Sequence, residues 1–240
     1  MIDFITVEDI SFAYEDDFVL DHISLSVKSG EFVVIVGPNG AGKTTFLRLL
    51  AGLCPPTVGH IYIDGNSVKK AQKMGYIYLV PQRYNENAAD FPATAAEIVG
   101  LGLVGSLKKM TSAERKNRVN EMLKLVDMSE YANRRIGEMS GGQQQRIMIA
   151  QALTGNPRLL LLDEPTSGID VKASGRILDL LAQLNQALGI TIVMISHDID
   201  KSTKYASRVI CINQHLCYDG KPAGFVKTHI NSPQLWHHGG

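Results

Sequence analysis

A glycine-rich segment between a strand-like and a helix-like stretch constrains the fold of this chain more than any other feature. It fits the pattern G-x-x-x-x-G-K-[ST] and consists of Gly37, Pro38, Asn39, Gly40, Ala41, Gly42, Lys43 and Thr44. The apolar stretch Glu31–Val36 precedes it, and Thr44–Leu53, whose apolar residues have helical spacing, follows it. In the order strand, loop, helix, backbone N–H groups of the loop can surround phosphate oxygens at the positive end of the helix dipole. The segment therefore predicts a phosphate-binding loop, with a flexible glycine turn as the alternative.

Three residues at the end of this loop carry the predicted chemistry. Lys43 would neutralise the charge of a terminal phosphate, and Thr44 would offer its hydroxyl to Mg²⁺. Thr45, the next residue along the helix, completes the predicted nucleotide-binding set. Together these residues indicate a site for a nucleotide with its Mg²⁺ ion.

Two adjacent carboxylates, Asp163 and Glu164, follow directly on the four leucines Leu159–Leu162. Uninterrupted apolar runs are typical of parallel strands, which are covered on both faces, and open α/β sheets bind ligands at the carboxyl ends of such strands. Asp163 suits the shell of Mg²⁺, because a hard cation prefers carboxylate oxygen. Glu164 could polarise an attacking water, and its alternative role is to cap the turn at Pro165.

A histidine follows another apolar stretch in the same way. The run Ile190–Ile195 ends in Ser196-His197-Asp198, so a third predicted strand delivers a polar side chain to the same edge of the sheet. A single histidine is more often structural than functional, but arrival beside a phosphate site favours a role in the chemistry. We therefore expect His197 to position the γ-phosphate and the attacking water.

The remaining pattern predicts the organisation of the chain. Strand-like segments and turns fill residues 1–36, helical spacing dominates residues 85–140, and helices alternate with apolar strands in the remainder. We expect a single α/β domain over residues 1–240, built on a P-loop NTPase core with a mainly parallel sheet. In this interpretation about residues 1–84 and 141–240 form the catalytic core, which includes an N-terminal antiparallel β subdomain. About residues 85–140 form an inserted α-helical subdomain.

Composition argues against several partners and locations. The 240 residues include 24 Lys and Arg and 24 Asp and Glu, so no net positive charge draws the chain to nucleic acid. No apolar run approaches the roughly 18 residues of a membrane span, and the start of the chain lacks the pattern of a secretion signal. Three cysteines without a C-x-x-C pair fit a reducing compartment. We therefore expect a cytoplasmic protein.

A short segment at the start of the helix predicted over Gln143–Leu153 points to a family. Its residues are Met139, Ser140, Gly141, Gly142 and Gln143. With the phosphate loop and the Leu-Leu-Leu-Leu-Asp-Glu run, it resembles the ATP-binding-cassette (ABC) ATPase family, whose signature is commonly Leu-Ser-Gly-Gly-Gln, so that Met139 departs from it. A hydroxyl and two glycines at a helix start form a second anion site. The resemblance implies ATP and Mg²⁺ as cofactors and a homodimer, in which ATP lies between the phosphate loop of one copy and the signature of the other.

The resemblance extends over about residues 3–220 and implies three further roles. Tyr14 matches an aromatic residue that stacks on adenine, and Gln82 matches a glutamine that senses Mg²⁺ and the permease. The loop Ser167–Asp170 matches the segment that links the two nucleotide sites. Tyr14 could instead be an ordinary half-buried strand residue, and Gln82 could be a plain loop residue.

Single cassettes without membrane spans resemble importer subunits. This implies an ATPase docked on integral-membrane permease subunits at the inner face of the membrane, with an extracytoplasmic substrate-binding protein as an indirect partner. The stretches Asp90–Thr94 and Cys211–Gly220 resemble the branch that imports zinc, manganese or iron. A soluble ABC ATPase acting on ribosomes or DNA is the alternative, but such proteins usually resemble two fused cassettes or carry long coiled-coil insertions, and neither occurs in this sequence.

Several cysteines and histidines near the end of the chain invite a different interpretation, a metal site. They are Cys211, His215, Cys217, His229, His237 and His238. We expect a β-hairpin with its turn at Asn213-Gln214 instead, because thiols in such strands are usually small core residues. In an importer the transported ion would travel through the permease.

Overall fold

The computed structural model describes residues 3–15, 17–82, 92–104 and 110–227. In chain order, its strands are β1 (Asp3–Tyr14), β2 (Asp17–Lys28), β3 (Phe32–Val36), β4 (Val58–Ile63), β5 (Asn66–Ser67), β6 (Ile77–Val80), β7 (Leu159–Asp163), β8 (Thr191–Ile195), β9 (Arg208–Asn213) and β10 (His215–Gly220). Its helices are α1 (Lys43–Leu50), α2 (Val68–Lys73), α3 (Ala95–Leu101), α4 (Ser112–Leu125), α5 (Gly141–Leu153), α6 (Val171–Leu188), α7 (Ile199–Ser202) and α8 (Pro222–Phe225). Short 3₁₀ turns cover Ser129–Tyr131 and Ile136–Glu138.

The start of the chain forms an antiparallel sheet of four strands in the order β2-β1-β4-β5. Strand β1 continues well beyond the short apolar stretch that its sequence suggests. Its register against β2 shifts between Val7 and Ile10, and Asp9 between them has a φ of 49°. An irregularity of this kind bends a strand without ending it. The same shift interrupts the alternation of apolar and polar residues from which a strand's length is predicted.

The second sheet has six strands in the order β10-β9-β3-β8-β7-β6. Its neighbouring strands run parallel except for the hairpin β9–β10. Strand β3 lies between β8 and β9, so that Ile35 has Ile195 on one side and Ile210 on the other. Because parallel strands end at the same edge of a sheet, the residues that follow β3, β6, β7 and β8 meet there.

Two hydrophobic cores cover the two faces of this six-stranded sheet. Leu160 and Leu162 face the core that includes residues of α3 to α6. Leu159 and Leu161 face the other core, which includes α1 and the antiparallel sheet. All four leucines are fully buried, since successive side chains of a strand point to opposite faces. Coverage on both faces is the physical reason for the uninterrupted leucine run.

The helices α3 and α4 pack against α5 beside this sheet. All three begin with a capping box. The side chain of the first residue accepts a hydrogen bond from the backbone N–H three residues later, and the side chain of that later residue accepts one from the backbone N–H of the first. The pairs are Thr94 with Glu97, Thr111 with Glu114, and Ser140 with Gln143. Each box satisfies backbone donors that the first turn of a helix leaves unpaired.

The predicted fold class, α/β with an antiparallel N-terminal sheet, a mainly parallel second sheet and an inserted group of helices, is confirmed. Helix α1 ends at Leu50, earlier than its apolar pattern suggests, and Gly52 beyond it has a φ of 72°. A left-handed residue of this kind terminates a helix. Over the ranges described above, none of the helices combines the length and the apolar composition needed to cross a membrane.

Candidate functional site

The glycine-rich loop connects β3 to α1 at the carboxyl edge of the parallel sheet. Asn39 and Gly40 form its exposed crest, whereas Ala41, Gly42 and Thr45 are buried. Gly42 precedes α1 with a φ of 88°, a left-handed conformation that favours glycine. The first turn of a helix has backbone N–H groups without intrahelical partners, so this end of α1 can receive an anion.

The side chain of Lys43 lies under the loop and is only 5% exposed. Its Nζ atom donates hydrogen bonds to the backbone oxygens of Gly37, at 2.9 Å, and Pro38, at 2.6 Å. Burial lowers the pKa of Lys43, while the charges of Glu164 and Asp163 oppose that shift. An ammonium group has three donors, so the two bonds to the loop leave a third for an anion.

The hairpin β9–β10 supports the loop from behind. Gly37 has a φ of 151°, and a Cβ atom there would lie 2.0 Å from the backbone oxygen of Ile212. The N–H of Gln214, in the hairpin turn, donates a 3.1 Å hydrogen bond to the oxygen of Ala41. The sequence does not predict this support, because a turn at Asn213-Gln214 carries no signal for the place where it docks.

Thr44 and Asp163 bring two oxygen donors together. Oγ1 of Thr44 donates a 3.3 Å hydrogen bond to Oδ1 of Asp163, at the end of β7. Burial raises the pKa of Asp163; the hydrogen bond from Thr44 opposes this rise, and the neighbouring charge of Glu164 adds to it. A hydroxyl and a buried carboxylate are ligands that Mg²⁺ prefers. A divalent cation would also offset the negative charge that these two adjacent carboxylates place in a poorly solvated site.

Glu164 is held between two side chains from neighbouring strand ends. Nε2 of Gln82, just after β6, donates a 2.7 Å hydrogen bond to Oε2 of Glu164. Oε1 is hydrogen bonded to Nε2 of His197, just after β8. Glu164 has a φ of 48°, a strained conformation for a non-glycine residue, and the following Pro165 disfavours the right-handed helical alternative. The structure therefore brings Gln82, Glu164 and His197 together at one edge of the sheet.

Two cavities lie at opposite edges of the parallel sheet. A cavity of about 170 Å³ borders Glu164 and His197. A larger one, of about 910 Å³, is lined by Ser29, Arg158 and Gly189, which precede β3, β7 and β8. Ligands of open α/β sheets bind at the carboxyl edge, so the smaller cavity is the one that belongs to the candidate site.

The segment Ser140–Gln143 opens α5 with its backbone donors partly satisfied. Oγ of Ser140 accepts from N of Gln143 at 3.4 Å, and Oε1 of Gln143 accepts from N of Ser140 at 3.0 Å. Ser140 and Gly141 are exposed. Gly142 is buried, and a Cβ atom there would lie 2.9 Å from that of Ala173, so this glycine also permits close packing of α5 on α6. Between the described residues of this segment and the glycine-rich loop there is no hydrogen bond within one copy.

Two other residues with predicted roles, Tyr14 and Asp170, are exposed. The Tyr14 side chain is 48% exposed and meets Phe12 edge to face, with ring centroids 4.9 Å apart. Within the loop Ser167–Asp170, Asp170 caps α6, since its Oδ1 accepts from the N–H groups of Lys172 and Ala173. A capping role of this kind is readable from an Asp before an apolar helix.

The hairpin predicted around Asn213-Gln214 is present as β9 and β10. Cys211 is buried in it, and His215 and Cys217 are exposed. Across the described ranges, no group of three or more His, Cys, Asp or Glu side chains is arranged to hold a metal ion. Three further histidines of the sequence lie outside the described residues: His229, His237 and His238.

The chain is similar to ATP-binding proteins of several membrane import systems. The family model for the ABC transporter matches residues 20–167, more than half of the chain. The zinc uptake system ATP-binding protein ZurA of Listeria innocua is 38% identical over 218 residues, which cover 90% of this chain and 85% of the relative. The Fe(3+) ions import ATP-binding protein FbpC of Pasteurella multocida is 37% identical, over 96% of this chain and 65% of its own. The spermidine/putrescine import ATP-binding protein PotA of Bacillus cereus is 35% identical, over 91% of this chain and 66% of the relative.

A solved structure with the same fold is a dimeric ATP-binding cassette in a post-hydrolysis state, bound to ADP and Pi. It is 31% identical and superimposes with a TM-score of 0.77, over 91% of this chain and 98% of that chain. Both the sequence model and the relatives cover the glycine-rich loop, the paired carboxylates and the helix start at Ser140. The chain therefore belongs to the ABC transporter family, as one of its ATP-hydrolysing cassettes.

Proposed function

We propose that this chain is the ATPase subunit of a membrane importer for a divalent metal ion, zinc or manganese. The observation that carries the catalytic part is the position of the Glu164 carboxylate between Gln82 and His197, at the edge where the glycine-rich loop begins. Phosphoryl transfer needs groups that hold the nucleotide, neutralise its charge and orient the attacking water. This edge supplies a candidate for each task.

In this proposal Glu164 acts as the general base on the attacking water. Its side chain is 14% exposed, and two hydrogen bonds fix the direction of its oxygens. His197 is hydrogen bonded through Nε2, and its side chain is 46% exposed, so its Nδ1 side can face the γ-phosphate and the water. A positioned base typically contributes about 10²- to 10⁴-fold in rate.

The glycine-rich loop and Lys43 would hold the phosphates. The backbone of residues 37–45 runs from the end of β3 into the first turn of α1, where unpaired N–H groups favour an anion. Lys43 lies beneath the loop with its ammonium bonded to two loop carbonyls. Its position next to the phosphates would let it stabilise the charge that develops during transfer.

Mg²⁺ fits the donor set at the end of β7. Thr44 supplies a hydroxyl and Asp163 a buried carboxylate, and Gln82, whose Nε2 is bonded to Glu164, has its amide oxygen as a further hard donor. We propose these three as the residues that hold the ion. When bound, the ion would neutralise charge on the phosphates.

The adenine base is assigned to Tyr14. Its ring is exposed near the end of β1, and the neighbouring strand β2 approaches the loop closely. A Cβ atom on Gly42 would lie 2.6 Å from Cδ2 of Leu20. The contact fixes this part of the antiparallel sheet beside the phosphate loop, which supports stacking of a nucleotide base on the tyrosine.

A second copy of the chain would complete each site. Ser140 and Gly141 are exposed at the start of a 13-residue helix, and a helix start is a favourable place for phosphate oxygens. The fold is similar to that of a cassette solved as a dimer with ADP and Pi. We propose that Ser140, Gly141, Gly142 and Gln143 of one copy contact the ATP held by Lys43 of the other.

The transport part of the proposal rests on the relatives. ZurA is a zinc uptake protein, and FbpC imports Fe(3+) ions, whereas PotA imports spermidine and putrescine. Zinc uptake is favoured over polyamine uptake because this chain covers 85% of ZurA but only 66% of PotA. We propose that the chain docks on integral-membrane permease subunits at the cytoplasmic face, and that a substrate-binding protein delivers the ion from outside. Two residues of the stretch Asp90–Thr94, Asp90 and Phe91, lie outside the described residues.

Uptake measurements test the substrate. A strain that lacks this chain should lose uptake of radiolabelled zinc or manganese, and the wild-type chain should restore it. The variant Glu164→Gln should not restore it, although it accumulates to the same level. Unchanged uptake of zinc and manganese, together with lost uptake of spermidine or iron, would reassign the substrate and leave the ATPase proposal intact.

The alternative is a soluble ABC ATPase that acts on ribosomes or DNA. It predicts unchanged uptake of every solute tested and co-sedimentation of the chain with ribosomes in the presence of ATP. The neutral balance of 24 basic and 24 acidic residues favours the importer, because binding to nucleic acid depends mainly on basic charge.

A further inference from the structure

The two cysteines of the hairpin β9–β10 lie opposite each other on paired strands, and the nucleotide chemistry does not use them. Leu216 pairs with Ile212 and Tyr218 pairs with Cys211, so the register shifts at the residue between, Cys217. A bulge sets two consecutive residues of one strand opposite one residue of its partner. Here Cys217 and Tyr218 both oppose Cys211. The pairing therefore sets the two cysteines beside each other on neighbouring strands.

The two thiols differ in accessibility and in acidity. Cys211 is 4% exposed, whereas Cys217 is exposed. Interaction with the neighbouring Cys211 thiol lowers the pKa of Cys217 to about 7, and burial opposes that shift. The same interaction, together with burial, raises the pKa of Cys211. Near neutral pH, Cys217 is therefore in part the thiolate, which is the reactive form, and Cys211 keeps its proton.

We propose that Cys211 and Cys217 are an oxidation site that hydrogen peroxide closes to a disulfide, and that closure weakens nucleotide binding at the glycine-rich loop. The Cys217 thiolate attacks one peroxide oxygen, the O–O bond breaks, and the leaving hydroxide takes up a proton as water. The sulfur of Cys211 then attacks the resulting sulfenic acid and loses its proton. The S–O bond breaks, an S–S bond forms, and a second water leaves, so two thiols are oxidised and one peroxide is reduced.

The backbone of the hairpin carries the effect of disulfide formation to the nucleotide site. Cys211 is the register partner of Val36, the residue before Gly37. Ile212 limits the space around Gly37, and Gln214 is hydrogen bonded to Ala41. Closure draws the two strands together at the bulge and moves the surface on which the loop rests. Phosphate binding depends on the exact direction of backbone N–H groups, so ATP affinity falls.

The test uses the full chain, first reduced and then treated with hydrogen peroxide. Alkylation of the remaining thiols, intact mass and peptide mapping should show the loss of two hydrogen atoms, a peptide linking Cys211 to Cys217, and alkylation of Cys54 only. A titration should give a several-fold higher Kd for ATP, reversed by dithiothreitol. Cys54→Ser is the matched control, because burial raises the pKa of that thiol and its removal should change neither result.

Two further variants separate the chemistry from general damage. In Cys217→Ser, whose exposed position tolerates a hydroxyl, peroxide should form no cross-link and leave the Kd for ATP unchanged. In Cys211→Ser, with circular dichroism to verify folding, a sulfenic acid on Cys217 should be trapped by dimedone. Cross-links that involve Cys54, or oxidation without the Cys211–Cys217 peptide, would overturn the oxidation site. A fully cross-linked chain with unaltered ATP affinity would overturn the link to the loop.

Discussion

The amide of Gln82 donates a 2.7 Å hydrogen bond to the carboxylate of Glu164, which is 82 positions further along the chain. The bond joins the end of the edge strand β6 to the end of β7. Gln82 is exposed, whereas the Glu164 carboxylate is nearly buried. A partner that displaces Gln82 would therefore change the orientation of the proposed base without touching it. A permease that contacts Gln82 would in this way change the rate of ATP hydrolysis.

Replacing Glu164 by Gln should preserve ATP binding and lower turnover by about 10²- to 10⁴-fold. The amide can still hydrogen bond to water and to His197, but it cannot accept a proton. The ATPase rate and the amount of retained nucleotide should be measured on the same preparation. Glu121→Gln is the control, since Glu121 lines the cavity at the opposite edge and should keep the wild-type rate. A Glu164 variant with most of its activity would remove this residue from the mechanism.

Replacing Asp163 by Asn should stabilise the chain at neutral pH when neither nucleotide nor Mg²⁺ is present. The pKa of Asp163 is raised in the folded chain, mainly by burial, so its ionised form is disfavoured there. The stability contributed by this group is present at low pH and is lost as the pH rises through the raised pKa. The gain in Tm, roughly 2–4 °C for each kcal/mol, should thus shrink as the pH is lowered. An equal gain at all pH values would contradict the electrostatic cause.

Two glycines of the loop should respond differently to substitution by Ala. At Gly40 the φ is 76° with no neighbouring atom within 4 Å, so the cost is backbone strain of about 1–2 kcal/mol. At Gly37 the new methyl group would also meet the Ile212 oxygen at 2.0 Å, which adds about 1–3 kcal/mol of overpacking. Chemical denaturation of both variants measures the difference. Equal losses would show that β9 can move away from the loop at little cost.

The working unit should contain two copies that share each nucleotide. In the Glu164→Gln background, one chain should carry Lys43→Ala and the other Gly141→Asp, which places a carboxylate at the phosphates. A mixed dimer then has both defects at one site and an intact second site, whereas each variant alone has two damaged sites. Sedimentation with ATP should show pairing in the mixture and much less in either variant alone.

Equal failure of all three samples would count against a shared site. Counts of bound nucleotide per dimer distinguish unshared sites from shared sites that must both be intact for the dimer to close. One nucleotide in the mixed dimer would support sharing, and none would oppose it. Wild-type chains mixed with the Gly141→Asp variant provide the matched reference, because there each mixed dimer keeps one sound site.

The sequence predicts the carboxyl edge of the sheet well, for a physical reason. Strands buried on both faces are uninterrupted apolar runs, so the polar residues that end them, Asp163 and His197, stand out. Partners distant in sequence are not encoded in this way. The contact of Gln82 with Glu164 and the support of Gly37 by Ile212 depend on strand order and register, which side-chain packing determines across the whole chain.

The length of β10 and the position of its bulge are also not predicted by the local sequence pattern. The residues of β10 are exposed or at most half-buried, so the sequence does not determine which side chain opposes Cys211. Similarly, the two glycines after Ser140 predict an anion site. They do not predict the packing of Gly142 on Ala173, which depends on how α5 and α6 lie against each other. Local chemistry is readable from short motifs, but contacts between elements are not.

The position of β3 has a consequence for how the protein is made. This strand leads into the glycine-rich loop, yet both of its neighbours, β8 and β9, lie after residue 190. A ribosome delivers the chain from its amino end, so the buried strand Phe32–Val36 has no sheet partner until residues beyond 190 have emerged. Pairings between such distant segments form slowly. A nascent or truncated chain therefore presents an unpaired apolar strand and an unsupported nucleotide loop, and quality-control proteases can recognise it before it ever binds ATP.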